Sequence, residues 1–273
     1  MEGPATFSIV DELNMNLTQG KVRAVIPQMA HGFTVHTEDA DFVDLGTEFF
    51  VSANPTKKLS QVDVLSGEVN VVEPASQELL RNLKKKNKCN CYGIDFSKNL
   101  IKIARRKSRN INYYCIDMNK IKDEFKIKIK FDYIITKRSI QNLTSWKDQK
   151  KFIDQLKFFS GPKTKILLME SSNNGLRKIN KMRSKLKLKK IIKPWHNLYF
   201  EDSRLQKTKF NGIKLVNIKE LFSTYYFTSR VLNAAINPKP RYNDLLNLTG
   251  WKLPQNAIEG FSQLRLYEFK TNN

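Results

Sequence analysis

The chain has 273 residues, enough for one large domain or two modest ones. Hydrophobic residues make up 40% and charged residues 27%, which is typical of globular proteins and not of disordered or collagen-like chains. No apolar run reaches the roughly 18 residues of a membrane helix, and no signal peptide is expected from the first residues. The three cysteines are too few for a disulfide framework and lack zinc-site spacing. We therefore expect a cytoplasmic globular protein.

The net charge changes sign along the chain. Residues 1–75 contain four Lys or Arg and eleven Asp or Glu, which gives a net charge of −7. Residues 76–273 contain the other 44 basic and 15 acidic residues, which gives +29. A compositional shift this abrupt is typical of a domain boundary. We place the boundary near residues 73–77 and predict two domains, residues 1–73 and 78–273.

The first segment has the pattern of a small all-β module. Residues 32–37 and 48–53 are rich in aromatic and β-branched side chains, as strands are. In residues 61–72 the valines alternate on either side of Ser66–Gly67, which predicts a hairpin. Turn residues recur at short intervals, so we predict an antiparallel sandwich or barrel of about six strands.

The first segment also resembles the FecR-type domain. The likeness covers about 70 residues and rests on three stretches of sequence: Gly32–Val35, Asp44–Phe49 and Ser66–Val69. The resemblance implies a module that passes signals between proteins, with a protein partner and no catalytic residues. We expect no metal site, because His31 and His36 have no partner at metal-binding spacing.

The second segment alternates between the strand and helix periods. Residues 78–87 predict a helix, and Ser97 is a suitable N-cap for a helix with Leu100, Ile101 and Ala104 on one face. Residues 148–159 predict another helix. The apolar runs of strand length are residues 90–95, 111–116, 131–136 and 165–170, with an alternating, antiparallel edge strand at 261–270. This order predicts an α/β fold with a Rossmann-like, doubly wound sheet.

Polar residues follow three of these strands. Asp95, Asp117 and Thr136–Lys137 stand at strand ends, and ligands of doubly wound sheets bind at the carboxyl ends of the strands. A carboxylate there can accept both hydroxyls of a ribose, and a second acid can accept an adenine amino group. A turn or helix-cap role is the structural alternative for each acid.

The order of residues resembles class I S-adenosylmethionine-dependent methyltransferases over about 195 residues. The matching stretches are residues 92–107, 135–156, 167–183, 193–202 and 223–235. The resemblance implies S-adenosylmethionine as cofactor, with its ribose on Asp95. It places the adenine beside Phe96 and Asp117–Met118.

One part of the methyltransferase pattern is missing. These enzymes begin with a strand and a glycine-rich loop, whose glycines let the backbone approach the cofactor. The loop is expected at residues 71–77, where the sequence is VVEPASQ and has no glycine. Residues 68–72 also serve the predicted hairpin, and they can hardly be the first central strand of the sheet as well. The chain therefore has the features of a chimera, and we predict weak or no cofactor binding.

The candidate acceptor site lies around the one histidine of the second segment. His196 follows a predicted strand and is our candidate base for removing a proton from an acceptor hydroxyl, with structural use of the ring as the alternative. Asn197 and Tyr199 are candidate orienting groups, and Trp195 is a candidate wall. The candidate anchors for an anionic acceptor are Arg138, Arg177 and Arg183.

Three functions remain open at this point. The first is methyl transfer to a small acceptor, with a sugar or glycolipid precursor as a candidate, and we expect this activity to be impaired by the missing loop. The second is a FecR-like signalling module without catalysis. The third is nucleic-acid binding, since a charge of +29 with several aromatic residues can hold phosphates and bases. The basic residues are scattered over many predicted helices and loops, and the segment is also rich in Asn and Ile, which like Lys have AT-rich codons. Compositional drift explains the charge, so we do not expect a nucleic-acid partner. The cysteines are expected to be buried apolar residues.

Overall fold

The computed structural model describes residues 5–25, 33–38, 40–44, 48–56, 59–66, 69–72, 89–237 and 243–272. The chain divides into two compact units, Met1–Cys115 and Ile116–Asn273. The boundary expected at residues 73–77 and the helix expected at 78–87 both lie outside the described residues, so they stay predictions. Within the described part of the chain, no helix is long and apolar enough to cross a membrane.

The first unit begins with a sheet of seven strands. Its order is β6-β5-β2-β3-β4-β7, and β1 also pairs with β2. The pairing of β2 with β3 is parallel, and the other pairings are antiparallel. The strands are β1 (Thr6–Asp11), β2 (Asn14–Val25), β3 (Thr34–His36), β4 (Asp41–Asp44), β5 (Glu48–Asn54), β6 (Leu59–Ser66) and β7 (Val69–Val72).

Alternating apolar residues form the core of this sheet. Met15 and Leu17 on β2, and Phe49 and Val51 on β5, are almost fully buried together with Phe42 on β4. Residues two apart on a strand share a face, so each strand contributes every second side chain to one core. The predicted all-β module is therefore confirmed, although it has one parallel pairing that the sequence pattern did not indicate.

The hairpin predicted around Ser66–Gly67 is wrong. β6 pairs with β5 and β7 pairs with β4, so the two strands lie at opposite ends of the strand order. The alternating valines correctly indicated two strands, but alternation does not specify which neighbour a strand takes. The pairing of Val69–Val72 with β4 also assigns this strand to the N-terminal sheet.

The first unit ends with an α/β segment. β8 (Tyr92–Asp95) pairs in parallel with β9 (Asn112–Cys115), and α1 (Lys98–Lys107) connects them. Ser97 caps α1 by accepting a hydrogen bond from the backbone N–H of Leu100, at 3.3 Å. Leu100, Ile101 and Ala104 are buried, as their helical spacing predicted.

The second unit is built on a four-stranded sheet of order β10-β11-β13-β12. β10 (Phe131–Lys137) and β11 (Ser160–Ser171) are parallel, whereas β13 (Leu264–Thr271) is antiparallel to both β11 and β12 (Ile213–Leu221). The antiparallel strand expected at 261–270 is confirmed, but its expected position at the edge of the sheet is wrong. β12 forms the edge instead, and β13 is an inner strand with Tyr267 and Phe269 fully buried.

Helices and short turns connect the strands of the second unit. Phe152, Ile153 and Leu156 in the region predicted as a helix are buried, so that prediction is confirmed. The α-helices are α2 (Ile121–Glu124), α3 (Trp146–Gln155), α4 (Asn173–Lys185), α5 (Asp202–Lys207), α6 (Ser223–Phe227), α7 (Asn233–Ile236) and α8 (Asp244–Lys252). The 3-10 helices are Met118–Lys120, Ile140–Asn142 and Leu156–Phe159, and a π-helical turn, Thr228–Leu232, links α6 to α7.

The parallel pairings are those of a mixed α/β, Rossmann-like fold. In a doubly wound sheet of order 3-2-1-4-5, the second strand pairs with the third and the fourth with the fifth. β8 with β9 and β10 with β11 show these two pairings, one in each unit. Among the described residues no strand pairs with both β8 and β10, and β7 is paired with β4. The first central strand is therefore not supplied by Val69–Val72.

Candidate functional site

Asp95 is the carboxylate at the carboxyl end of β8. Its Oδ1 accepts a hydrogen bond of 2.8 Å from the backbone N–H of Ser97, so the side chain shapes the turn into α1. Burial raises the pKa of Asp95, while the N–H of Ser97 acts in the opposite direction. The residue is half-buried, which leaves part of the carboxylate accessible at the strand end. Its turn role and a ligand role are therefore compatible.

Phe96 follows Asp95 and presents its ring to solvent. The side chain is 72% exposed, and the backbone carbonyl of Phe96 accepts a hydrogen bond from Cys115 Sγ at 3.3 Å. An exposed aromatic ring beside a carboxylate can stack on a planar heterocycle. The adenine contact that the resemblance implies for Phe96 stays a prediction.

Asp117 lies just after the β9 segment in sequence and starts the second unit's first turn. Its Oδ1 accepts a hydrogen bond of 2.9 Å from the backbone N–H of Asn119, and it caps the 3-10 helix Met118–Lys120. Asp117 is exposed and Met118 is half-buried. Asp117 therefore performs the cap role that was its structural alternative, and its adenine role stays a prediction.

The end of β10 is fixed by a buried carboxylate that the sequence analysis did not single out. Glu170 Oε1 accepts hydrogen bonds from Thr136 Oγ1 at 2.8 Å and from the backbone N–H groups of Ser139 and Ile140. Glu170 Oε2 accepts one from the N–H of Gln141 at 3.3 Å. In the sequence, Glu170 is visible as the acid that ends the apolar run at residues 165–170.

Burial dominates the electrostatics of this carboxylate. Glu170 is fully buried, and the loss of solvent raises its pKa to about 7, although the hydrogen bonds from Thr136 and the turn oppose the shift. The Thr136 hydroxyl is directed to Glu170, whereas Lys137 is half-buried and Arg138 exposed. Arg138 has φ of 53°, a left-handed conformation that is uncommon for a residue with a Cβ.

A buried glutamine joins the turn after β10 to the segment around His196. Gln149 Nε2 donates hydrogen bonds to the carbonyls of Ile140 at 3.1 Å and Leu198 at 2.7 Å. The N–H of Leu198 also donates to the carbonyl of Gln141 at 2.7 Å. These bonds bring the turn that follows Arg138 close to the segment that follows His196. Both residues are predicted members of the acceptor site.

His196 lies in a turn, so the strand expected before it is wrong. The described residues 186–198 contain no strand. The rings of Trp195 and His196 meet edge to face, with centroids 5.5 Å apart, and Trp195 is 77% exposed. The lysine-rich run before His196 has apolar residues at alternate positions, such as Leu186 and Leu188, which is also the pattern of a strand. Among the described residues this segment pairs with no strand.

The two predicted orienting groups are buried next to this turn. Asn197 is 3% exposed, and its Oδ1 has no hydrogen-bond partner among the described residues. The hydroxyl of Tyr199 accepts a hydrogen bond of 3.1 Å from Gln263 Nε2. A buried amide oxygen without a donor is unfavourable, so Asn197 is a suitable place for a ligand or water hydrogen to bind.

The other candidate arginines make internal bonds. Arg177 forms a two-point ion pair with Glu201, with distances of 2.7 and 2.8 Å. Arg183 donates to the carbonyls of Lys189 and Arg230. Arg138 therefore differs from the other two, because no such bond occupies its guanidinium among the hydrogen bonds found in the described residues.

A second buried carboxylate, Asp202, binds residues of β13 in the same sheet. Asp202 Oδ1 accepts hydrogen bonds from Ser172 Oγ at 3.1 Å and from the Tyr267 hydroxyl at 2.8 Å. Asp202 Oδ2 pairs with Arg265, which also donates to Glu220 at 2.9 Å. Each buried charge is paired, as buried ions require, so this cluster is structural.

The cysteines differ in exposure. Cys91 is buried and Cys89 is half-buried, but Cys115 is exposed, which corrects the expectation that all three are buried. Cys115 is the last residue of β9 and is exposed, although alternation places it on the same face as the buried Tyr113. In the part of the chain that the structure describes, no group of three or more His, Cys, Asp or Glu side chains could hold a metal ion.

Comparisons with known proteins give one family match. The model described as a methyltransferase domain matches residues 74–158. The match starts directly after β7 and includes β8, α1, β9 and β10. No curated protein matches the chain.

Several solved structures resemble the fold. An S-adenosylmethionine-dependent methyltransferase from Clostridium acetobutylicum shares 13% identity, with 71% of this chain and 80% of that chain covered and a TM-score of 0.44. A SAM-dependent methyltransferase from Archaeoglobus fulgidus shares 14% identity, with 71% and 82% covered and a TM-score of 0.45. Residues 74–158 of the chain are thus similar to a methyltransferase domain, and the fold around them is mixed α/β.

Proposed function

We propose that the chain is an S-adenosylmethionine-dependent methyltransferase whose cofactor binding is impaired. The observation that carries this proposal is the methyltransferase-domain match over residues 74–158, with Asp95 at the carboxyl end of β8. A doubly wound sheet binds its ligand at that end, and an acid on the second strand there can bind ribose hydroxyls.

The residues around β8 fit the nucleoside part of the cofactor. Asp95 is a half-buried carboxylate that can accept two ribose hydroxyls, and the exposed Phe96 ring can cover the adenine. Asp117 and Met118 are the further adenine contacts that we propose, and Lys137 lies at the end of β10. When bound, the cofactor supplies an electrophilic methyl group.

The methionine part of the cofactor lacks its usual support. Residues 71–77 contain no glycine, and Glu73 adds a negative charge where the ligand carboxylate would lie. β7 pairs with β4, so it does not precede the loop as the first central strand of the α/β sheet. We therefore expect the affinity for S-adenosylmethionine to be in the millimolar range, about 4 kcal/mol of binding free energy.

The acceptor site that we propose lies where Gln149 joins two segments. His196 accepts the proton of a hydroxyl group on the acceptor while the oxygen of that hydroxyl takes the methyl group. Asn197 offers an unpaired amide oxygen to a donor on the acceptor, Tyr199 supports this turn, and Trp195 provides an exposed apolar wall. Arg138 is the cation that remains for an anionic acceptor, and a small sugar-type molecule fits these groups.

The test is ligand-observed NMR of the purified full chain with S-adenosylmethionine. We expect saturation transfer to the adenine and ribose protons, lost in Asp95→Asn and kept in Asp132→Asn. Asp132 is an exposed acid on β10, so the second variant makes the same charge change elsewhere. Micromolar binding would contradict the impairment. No transfer to folded wild-type protein would contradict the cofactor assignment and leave the FecR-like signalling module as the better hypothesis.

A specific observation favours polyanion binding as a second candidate function. A surface groove of about 380 Å³ beside α1 is lined by basic side chains: Lys98, Lys102, Arg105, Arg106 and Arg109. Binding to phosphates through such residues weakens steeply with salt. If this candidate is right, fluorescence anisotropy shows binding of single-stranded RNA at about 50 mM salt, where contacts to phosphates are strong. The double variant Lys102→Glu and Arg106→Glu is expected to abolish this binding.

A further inference from the structure

Two cysteines before β8 have adjacent sulfur atoms. The Sγ atoms of Cys89 and Cys91 are 3.2 Å apart, because the two side chains extend to the same side of the segment. The distance would have to shorten to about 2.0 Å for a disulfide bond. Two residues of chain span at most about 7 Å between Cα atoms, close to the upper end of the range that disulfides tolerate. A small local movement is therefore sufficient.

The surroundings determine which cysteine moves and which reacts first. Cys91 packs in a small core with Ile101, Ala104, Ile111 and Tyr113, and its carbonyl accepts a hydrogen bond of 3.2 Å from the N–H of Asn112. Cys89 is half-buried at the border of this core. Cys89 is therefore accessible to a small oxidant, whereas Cys91 is anchored beside it and protected.

We propose that Cys89 and Cys91 form an oxidation site that closes to a reversible disulfide with hydrogen peroxide. The peroxide converts the Cys89 thiol to a sulfenic acid and releases one water. The Cys91 sulfur then attacks the Cys89 sulfur, the S–O bond breaks, and the thiol proton leaves with the hydroxyl as a second water. Two thiols lose two electrons and two protons, and one peroxide is reduced to two waters.

The resulting bond is expected to be easily reduced. A ring closed by residues two apart is constrained, and strained or exposed disulfides have more oxidising potentials than structural ones. A thiol reductant therefore returns the pair to the dithiol state. This inference is independent of the proposed methyl transfer, because it depends only on the two sulfur atoms and their packing.

The test is peptide mapping of the full-length protein after treatment with hydrogen peroxide. Free thiols are alkylated under denaturing conditions, and trypsin is then used to cut after Lys88, Lys98, Arg109 and Lys120. Cys89 and Cys91 stay in one peptide, residues 89–98, and Cys115 lies in another, residues 110–120. The predicted disulfide lowers the mass of the first peptide by two hydrogen atoms and blocks both of its labels.

Three variants make the result specific. Cys115→Ser is expected to form the same product as the wild type, whereas Cys89→Ser and Cys91→Ser are expected to form none. Dithiothreitol is expected to restore both labels. A cross-link between the two peptides would overturn the proposal. The proposal would also be overturned if Cys89 and Cys91 were oxidised only to sulfinic acids. The same holds if both cysteines could still be labelled at a peroxide concentration that oxidises Cys115.

Discussion

Glu170 at the end of β11 accepts a 2.8 Å hydrogen bond from the hydroxyl of Thr136 near the end of β10. The two residues are 34 positions apart, and the parallel pairing of their strands brings them together. The same carboxylate receives three backbone N–H groups of the following turn. One buried acid therefore determines where Arg138 and its neighbours lie at the proposed acceptor site.

Replacing Glu170 with glutamine is expected to change how stability depends on pH. The folded pKa of about 7 lies above the ordinary 4.5, so the folded state binds the proton more tightly than the unfolded state. The stabilisation from this proton is complete below pH 4.5 and is lost as the pH rises through 7, on the order of 3 kcal/mol. The Glu170→Gln variant has no such loss.

Urea unfolding between pH 4.5 and 8 measures this difference. The exposed Glu259→Gln variant is the control and is expected to follow the wild type. Parallel pH curves for wild type and Glu170→Gln would show that the carboxylate keeps its ordinary pKa, with its four donors outweighing burial.

The variant Gln149→Leu is expected to destabilise the second unit by about 2 kcal/mol. The change keeps the size of the side chain but leaves the carbonyls of Ile140 and Leu198 without their donor. Hydrogen exchange of the Leu198 amide, which donates to Gln141, is expected to become faster. Gln206→Leu on the exposed side of α5 is the matched control, and an equal loss there would refute a specific role for Gln149.

Removal of the Tyr267 hydroxyl is expected to cost about 2 kcal/mol, because the bond to Asp202 involves a charged group in a buried position. Burial and the neighbouring Asp202 raise the pKa of Tyr267, so its hydroxyl keeps the proton that it donates. Chemical denaturation of Tyr267→Phe measures the loss. Tyr133→Phe alters a residue that is 55% exposed and is expected to have no effect.

The N-cap of α1 offers a local test of the turn that positions Asp95. Ser97→Ala removes the acceptor for the N–H of Leu100 and is expected to cost about 1 kcal/mol. Ser97→Asp is expected to restore most of this stability, because aspartate also caps helices well. If Ser97→Ala unfolds at the same denaturant concentration as the wild type, the cap bond contributes nothing measurable.

Local patterns allowed much of the fold to be predicted from sequence. The helix face of Leu100, Ile101 and Ala104 and the buried Phe152 and Ile153 follow from the helical period. The strand-end position of Asp95 follows from an apolar run that ends in an acid. These features depend on neighbours within a few residues, so spacing alone determines them.

Strand pairing depends on the tertiary structure. The alternating valines of β6 and β7 looked like one hairpin, yet the strands pair with β5 and β4. The strand at 264–271 looked like an edge because its pattern alternates, yet β12 covers it. Alternation reports which face is buried, and it contains no information on which strand lies next to it.

The sequence by itself determined the change of charge and period along the chain, the absence of glycine from residues 71–77 and the methyltransferase-like order of residues after them. The tertiary structure decided that Val69–Val72 belongs to the N-terminal sheet and that Glu170 and Gln149 hold the turns of the candidate site. It also decided that Cys89 and Cys91 have adjacent sulfur atoms. The reason is physical: periodicity and composition are local properties, whereas hydrogen bonds between distant residues exist only after the strands have paired.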